Sequence, residues 1–69
     1  MIQITLEAAR VNARLSLAEA AEALGLKDPD TLRSWEKGKT FPNAVQIKAI
    51  EKLYSVPYDS INFLPKNSV

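Results

Sequence analysis

The chain has 69 residues, of which 46% are hydrophobic and 25% are charged, and its formal net charge is +1. This composition is typical of a soluble globular protein, and the length is that of one small domain, which we expect to span residues 1–69. The sequence contains no cysteine and no histidine. That absence excludes disulfides, thiolate nucleophiles, histidine bases and the usual zinc sites, so we expect no catalytic activity, no cofactor and no metal site.

The charged residues are unevenly distributed along the chain. Residues 1–30 contain three basic and five acidic residues, whereas residues 31–69 contain six basic and three acidic ones. The positive excess therefore lies in the second half of the sequence. The first ten residues, MIQITLEAAR, show neither a basic segment nor a long apolar stretch, so they predict no secretory signal. We expect a cytoplasmic protein without membrane association.

Glycines and prolines separate five segments that are rich in good helix formers, which predicts an all-α fold of five helices. The first helix is predicted from Thr5 to about Ala13, with Thr5 as its N-cap. The second begins after Ser16, which can form a capping box with Glu19. This helix is expected to end at Gly25, because glycine suits the left-handed position that follows a helix.

The later helices begin at similar capping signals. The third starts at Asp28, directly before a proline in the first helical position, and Gly38 closes it. A fourth helix of about ten residues is predicted after Asn43, and a short fifth one lies between Pro57 and Leu64. The last few residues of the chain are expected to fray.

The second and third helices, with the short connection through Gly25, have the lengths of a helix-turn-helix unit. The sequence around this unit contains a set of characteristic residues: Leu15, Ser16, Glu19, Ala21, Leu24, Gly25, Leu32, Trp35, Glu36, Gly38 and Lys39. This set resembles the pattern L-S/T-Q-x-E-L-A-x-x-L-G, then W-E-x-G-K and a proline, of the Cro and lambda-type repressor (XRE-type) helix-turn-helix family. The resemblance implies a compact lambda-repressor-like domain that inserts residues 28–37 into the major groove of DNA.

Two features depart from the family pattern. Leu17 occupies the position at which the family commonly has a glutamine that contacts a phosphate. The distance from Gly25 to Trp35 is one residue longer than usual, which places an extra residue in the turn around Lys27 and Asp28. The extra residue would change how the third helix enters the groove.

A helical projection of the third helix, at about 100° per residue, separates an apolar face from a polar one. Trp35, Asp28 and Glu36 fall within about 60° of Leu32, on the predicted core side. The opposite side contains four residues that we predict to contact base edges: Asp30, Arg33, Ser34 and Lys37. Outside this family context, a face of this kind would be read as a solvated surface.

Arg33 is the best candidate for direct base readout, because a guanidinium can pair with O6 and N7 of guanine. Ser34 can hydrogen-bond to purine or pyrimidine edges. Asp30 has two interpretations. Its carboxylate could accept from a cytosine amino group, or it could simply interact with the positive end of the helix dipole.

Five residues are expected to contact the DNA phosphates: Ser16, Lys27, Lys39, Thr40 and Asn43. Residues 37–43 lead into the fourth helix, whose N-terminal N–H groups form a favourable site for an anion. The N-terminus of the second helix, at Ser16, could receive a phosphate in the same way. The alternative interpretation of residues 37–43 is a capped loop with solvated lysines.

Arg10 and Glu36 are interpreted as structural residues. Glu36 lies near the core side of the third helix, where an isolated carboxylate would be unfavourable, and the resemblance implies that it pairs with Arg10. We therefore predict an ion pair between the first and third helices. Trp35 is expected to anchor the third helix in the core and not to stack on bases.

The resemblance implies a sequence-specific transcriptional regulator similar to a phage Cro protein or repressor, or to a small bacterial relative, that acts by occupying an operator. The alternative is a protein-interaction module of the same fold, similar to an antitoxin or an adaptor. The low net charge, Leu17 and the acidic residues Asp28 and Asp30 favour that alternative.

A single short recognition helix contacts few base pairs, so useful specificity requires two copies on adjacent half-sites. We therefore expect a homodimer, at least on DNA. The predicted interface consists of the apolar residues near the end of the chain: Tyr58, Ile61, Phe63 and Leu64. The alternative is that these residues cap the core of the monomer.

Overall fold

A computed structural model describes residues 3–63, which form four α-helices, one 3₁₀ turn and a two-stranded parallel sheet. In chain order the elements are β1 Ile4–Thr5, α1 Leu6–Asn12, α2 Leu17–Ala23, α3 Pro29–Glu36, α4 Ala44–Tyr54, the 3₁₀ turn Tyr58–Ser60 and β2 Ile61–Asn62. Residues 3–63 are mostly helical, as predicted, but they form four α-helices and not the five that were expected.

The helix starts carry the capping contacts that the sequence indicates. The hydroxyl of Thr5 accepts a hydrogen bond from the N–H of Ala8 at the start of α1. Before α2, Ser16 and Glu19 form a closed capping box, in which each side chain accepts from the backbone N–H of the other. Asp28 caps α3 in a non-helical conformation. Asn43 and Gln46 form a second capping box before α4. The predicted starts of the first four helices are therefore confirmed.

The turn between α2 and α3 is held by a Schellman motif. The N–H of Gly25 donates to the carbonyl of Glu22, and the N–H of Leu26 donates to that of Ala21. Gly25 has a φ of +77°, which only glycine adopts without strain, and no atom would obstruct a side chain there. The glycine is thus needed for its backbone conformation alone.

The predicted fifth helix is wrong. After Pro57 the chain makes a single 3₁₀ turn, and Ile61 then becomes extended and pairs in parallel with Ile4. Pairing with β1 satisfies backbone groups of this segment and places the Ile61 side chain in the core at 4% exposure. A one-turn α-helix would gain few backbone hydrogen bonds in exchange. Leu64 and the expected frayed tail lie outside the described residues.

The expected position of Asp28 on the core side of the third helix is also wrong. Asp28 is exposed, because it precedes the first helical residue and has extended φ and ψ angles of −136° and 125°. A helical projection applies only to residues inside the helix. Leu32 and Trp35, which do lie inside it, are 0% and 3% exposed, and Trp35 is the predicted core anchor.

Within residues 3–63, the buried apolar residues form one core to which all four helices and β2 contribute: Leu6, Ala9, Ala20, Ala21, Leu32, Trp35, Ile50, Tyr54 and Ile61. The fully buried part of α2 consists of the alanines Ala20 and Ala21. These small side chains let α3 pack closely on α2. Burial of Leu32 and Trp35 then fixes the orientation of α3, and its opposite face is left to solvent.

Candidate nucleic-acid interface

The solvent face of α3 carries the residues that the sequence predicts to contact bases. Asp30, Arg33 and Lys37 are exposed and follow one another at spacings of three and four residues, so they form one stripe along the helix. The Arg33 side chain is 58% exposed and that of Asp30 is 79% exposed. Ser34 lies beside this stripe and is half-buried.

Two depressions border α3, one on each side. The first, toward α1 and the start of α2, is lined by Glu7, Arg10, Leu17, Arg33, Glu36 and Lys37. The second, toward α4, is lined by Asp30, Thr31, Ser34, Trp35, Thr40 and Gln46. The structure therefore divides the four predicted base contacts, with Arg33 and Lys37 on one side and Asp30 and Ser34 on the other.

The second depression joins α3 to the start of α4, where three of the predicted phosphate contacts lie. Thr40 lines the depression itself, Lys39 is exposed beside it, and Asn43 caps α4. In the capping box, the Gln46 carbonyl oxygen accepts from the N–H of Asn43 at 2.8 Å, so the amino group of Gln46 keeps its donors for other contacts. Gln46 was not among the residues predicted to contact DNA, but it lines this depression together with Ser34 and Thr40.

The first depression contains the start of α2, where the phosphate contact at Ser16 was predicted. The backbone N–H of Ser16 already donates to the carboxylate of Glu19 at 2.9 Å. A negative charge therefore occupies the position that a phosphate would take at this helix end. Lys27, the remaining predicted phosphate contact, is exposed in the turn between α2 and α3.

Arg14 is a further basic residue near the start of α2, and it was not among the residues predicted to contact DNA. It is exposed, lies two residues before Ser16 and has a φ of +63°, in the left-handed region that favours glycine. The signal in the sequence is a basic residue directly after a helix, at the position where glycine is usual. It adds an exposed positive charge to the short connection between α1 and α2.

An ion pair between α1 and α3 forms part of the lining of the first depression. Arg10 Nε donates to Glu36 Oε2 at 2.7 Å, and Arg10 Nη1 donates to the carbonyl of Leu15 at 2.9 Å. The two charged side chains are 12% and 7% exposed. The hydrogen bond to Glu36 raises the pKa of Arg10, while burial acts in the opposite direction. Glu7 lies 3.8 Å from the same guanidinium but is 65% exposed.

Tyr54 lies in the core near this ion pair. Its hydroxyl is buried and has no hydrogen-bond partner among residues 3–63. Burial raises the pKa of Tyr54 to about 12, and the negative charge of Glu36 acts in the same direction. The phenol is therefore a neutral component of the core.

An aromatic patch lies at another part of the surface and consists of Phe41, Tyr58 and Phe63. These residues line a common groove, and the rings of Tyr58 and Phe63 stack with centroids 5.6 Å apart. Phe41 is 57% exposed and Tyr58 is 49% exposed. Ile61, which was predicted to share an interface with Tyr58 and Phe63, is instead buried in the core. Leu64 lies outside the described residues.

The part of the chain that the structure describes contains no cluster of three or more acidic side chains placed to hold a metal ion. Among the same residues, no helix is long and apolar enough to cross a membrane.

The sequence of this domain matches a known protein family. Residues 6–61 match the family described as helix-turn-helix, so the chain belongs to the XRE-type helix-turn-helix family that includes Cro and lambda-type repressors. The family consists of DNA-binding transcription regulators, and membership implies binding to double-stranded DNA. Neither curated proteins nor solved structures gave a match.

Proposed function

We propose that this protein is a sequence-specific regulator of transcription, similar to Cro, that acts by occupying a double-stranded operator. The observation that carries the proposal is the solvent face of α3, where Arg33 and Lys37 are exposed on a helix whose opposite face is fixed in the core. An α-helix of this kind fits the major groove, where each base pair presents a distinct pattern of donors and acceptors. The proposal includes a cytoplasmic location and a single functional unit over residues 1–69.

Within this proposal, Arg33 pairs with the O6 and N7 atoms of a guanine. Ser34 contacts a neighbouring base edge from the α4 side of α3, and Lys37 contacts another from the α1 side. The division of these residues between two depressions supports the proposal, since a recognition helix in the groove has one DNA strand on each side. The acidic residue Asp30 lies on the same face.

Phosphate contacts are proposed at both borders of α3. On the α4 side, Lys39, Thr40 and Asn43 surround the start of a helix whose first backbone N–H groups have no intrahelical acceptor. On the α2 side, Ser16 and Lys27 supply contacts to the other strand. Because Glu19 occupies the backbone N–H of Ser16, a phosphate there must bind through the hydroxyl or displace the carboxylate.

The test separates base readers from phosphate contacts. Arg33→Ala should weaken binding to the preferred duplex by about 1 to 3 kcal/mol and relax base preference at one position, because a bidentate base contact is lost. Lys39→Ala should weaken binding to all duplexes alike and reduce the slope of log affinity against log salt by about 0.9. Duplex titrations at several salt concentrations measure both effects.

A matched control is Lys52→Ala, which removes an exposed lysine from the last turn of α4, away from both depressions. It should change duplex affinity much less than Lys39→Ala. If Arg33→Ala weakens every sequence equally, α3 is not the reader. If neither Arg33→Ala nor Lys39→Ala alters duplex binding, the protein-interaction module of the same fold becomes the better interpretation.

We further propose a homodimer, at least on DNA, that forms through the aromatic patch. The support is the exposure of Phe41 and Tyr58, since large aromatic side chains are enriched at protein interfaces. Sedimentation of the wild type and of Phe41→Ser, with and without operator DNA, tests this assignment. Two protein chains per palindromic duplex are expected for the wild type, and the Phe41→Ser variant should dimerise more weakly. A one-to-one complex on a palindrome would contradict the dimer.

A further inference from the structure

The recognition face of α3 contains an internal ion pair. The Oδ1 atom of Asp30 lies 3.8 Å from Nε of Arg33, one helical turn further along. Both side chains are exposed, so the pair contributes little to the stability of the free protein. Its position on the face proposed to enter the groove suggests a role in recognition instead.

We propose that Asp30 is a positioning residue that orients Arg33 for guanine, an inference that rests on the proposed function. The contact involves Nε, which is the inner nitrogen of the guanidinium. The two terminal amino groups, Nη1 and Nη2, keep their outward donors for the O6 and N7 atoms of one guanine. Asp30 thus selects the edge of Arg33 that meets the base.

The chemistry of the groove makes this arrangement useful. An arginine on a flexible stem can bind a phosphate as readily as a base edge, and phosphate binding adds affinity without sequence information. A carboxylate beside the guanidinium is repelled by phosphates and opposes that alternative. When the helix enters the groove and water is displaced, the attraction between Asp30 and Arg33 becomes stronger than in the free protein. Asp30 therefore increases base preference while it lowers general affinity for DNA.

The experiment is a double-mutant cycle, measured on duplexes that vary at single positions of the sequence preferred by the wild type. Its variants are Asp30→Asn, Arg33→Ala and the two combined. Asp30→Asn should lower the preference at the base pair read by Arg33 by about three- to tenfold, within the range for coupled neighbours. In the Arg33→Ala background, Asp30→Asn should leave base preference unchanged. Asp30→Glu, which keeps a carboxylate one turn before Arg33, should retain most of the preference.

Asp28→Asn is the matched control. It removes the same charge two residues away, and asparagine caps a helix as well as aspartate does. Both Asp→Asn variants should bind random duplex somewhat more tightly, because a negative charge near the phosphates is lost. Only Asp30→Asn should also reduce the ratio of the affinity for the preferred duplex to the affinity for random duplex.

Two results would overturn the inference while the proposed function stands. If Asp30→Asn changes preference at a different base pair and does so without Arg33, then Asp30 reads a base itself. If Asp30→Asn behaves like Asp28→Asn, its charge acts only on general affinity. If the wild type shows no preference among duplexes at all, the proposed function and this inference both fail.

Discussion

Arg10 and Glu36 have opposite charges and lie in a region that excludes most water. The attraction between them offsets the cost of removing each charge from water. Both oxygens of Glu36 face the Arg10 guanidinium, at 2.7 Å and 3.4 Å. Removing one member leaves a nearly buried charge without its partner, which is more damaging than the loss of the pair as a whole. The pair therefore fixes α1 against α3, and with it the position of the solvent face of α3.

Glu36→Ala should lower the free energy of unfolding by about 3 kcal/mol, at the lower end of the range for a broken buried pair, because Arg10 keeps its bond to the Leu15 carbonyl. Glu7→Ala is the matched control. It removes an exposed carboxylate at 3.8 Å from the same guanidinium and should change stability by less than about 0.5 kcal/mol. Denaturant unfolding measures both values. Equal stabilities for the two variants would show that the pair between Arg10 and Glu36 does not stabilise the fold.

The buried side chain of Tyr54 should make the stability of the fold depend on pH in the alkaline range. Its pKa is raised in the folded state to about 12 from its ordinary value of 10, so the folded protein binds the phenolic proton more tightly than the unfolded chain does. The corresponding stability is complete below about pH 10 and is lost as the pH rises toward 12. Tyr54→Phe should remove this alkaline loss, whereas Tyr58→Phe, at an exposed position, should retain it.

At neutral pH, Tyr54→Phe should be neutral or stabilising, because the hydroxyl that it removes is buried without a partner among the described residues. Thermal unfolding at about pH 7 and at pH values between about 9 and 12 measures both effects. A loss of more than about 1 kcal/mol at neutral pH would show that the hydroxyl makes a favourable contact.

At the scale of elements, the helix starts were predictable because their signals are local. Ser16 with Glu19 and Asn43 with Gln46 place complementary groups three residues apart, and this spacing alone determines the cap. The conformation of β2 was not predictable in this way. Ile61 becomes extended because it pairs with Ile4, far away in sequence, and no local pattern encodes that partner.

Gln46 separates the structural role of the α4 cap from its proposed role in binding. Gln46→Glu keeps the capping box, since a carboxylate also accepts from the Asn43 N–H, and a negative charge is favourable at a helix start. Stability should therefore be unchanged or higher by up to about 1 kcal/mol. Duplex affinity should fall, because the new carboxylate lies in the depression shared with Ser34 and Thr40 and would repel phosphates.

The control for Gln46→Glu is Asn12→Asp, another amide-to-acid change, at the exposed end of α1. Asn12 lines neither depression beside α3. Asn12→Asp should have a much smaller effect on duplex binding, measured by the same titrations. Equal losses of affinity in the two variants would mean that net charge, and not the α4 border of the recognition helix, determines binding.

At the scale of the whole molecule, the sequence was sufficient for the helical class, the family and the buried side of α3. The periodicity of Leu32 and Trp35 specifies that side, since both residues lie inside the helix. The sequence could not show how the exposed residues divide between two depressions, because this depends on how α1, α2 and α4 are placed around α3. Phe41 was missed as part of the aromatic patch for the same reason, since it adjoins Tyr58 only in the folded chain.

The proposed function requires that the solvent face of α3 read the sequence of double-stranded DNA. The decisive measurement is the selection of bound duplexes from a random pool by the wild-type protein, with Arg33→Ala selected in parallel. We expect an enriched inverted repeat whose half-sites are about one helical turn, or roughly 34 Å, apart, with one base position relaxed in the Arg33→Ala pool. Recovery of no common sequence by the wild type, or of the same sequence with undiminished preference by Arg33→Ala, would contradict the proposed function.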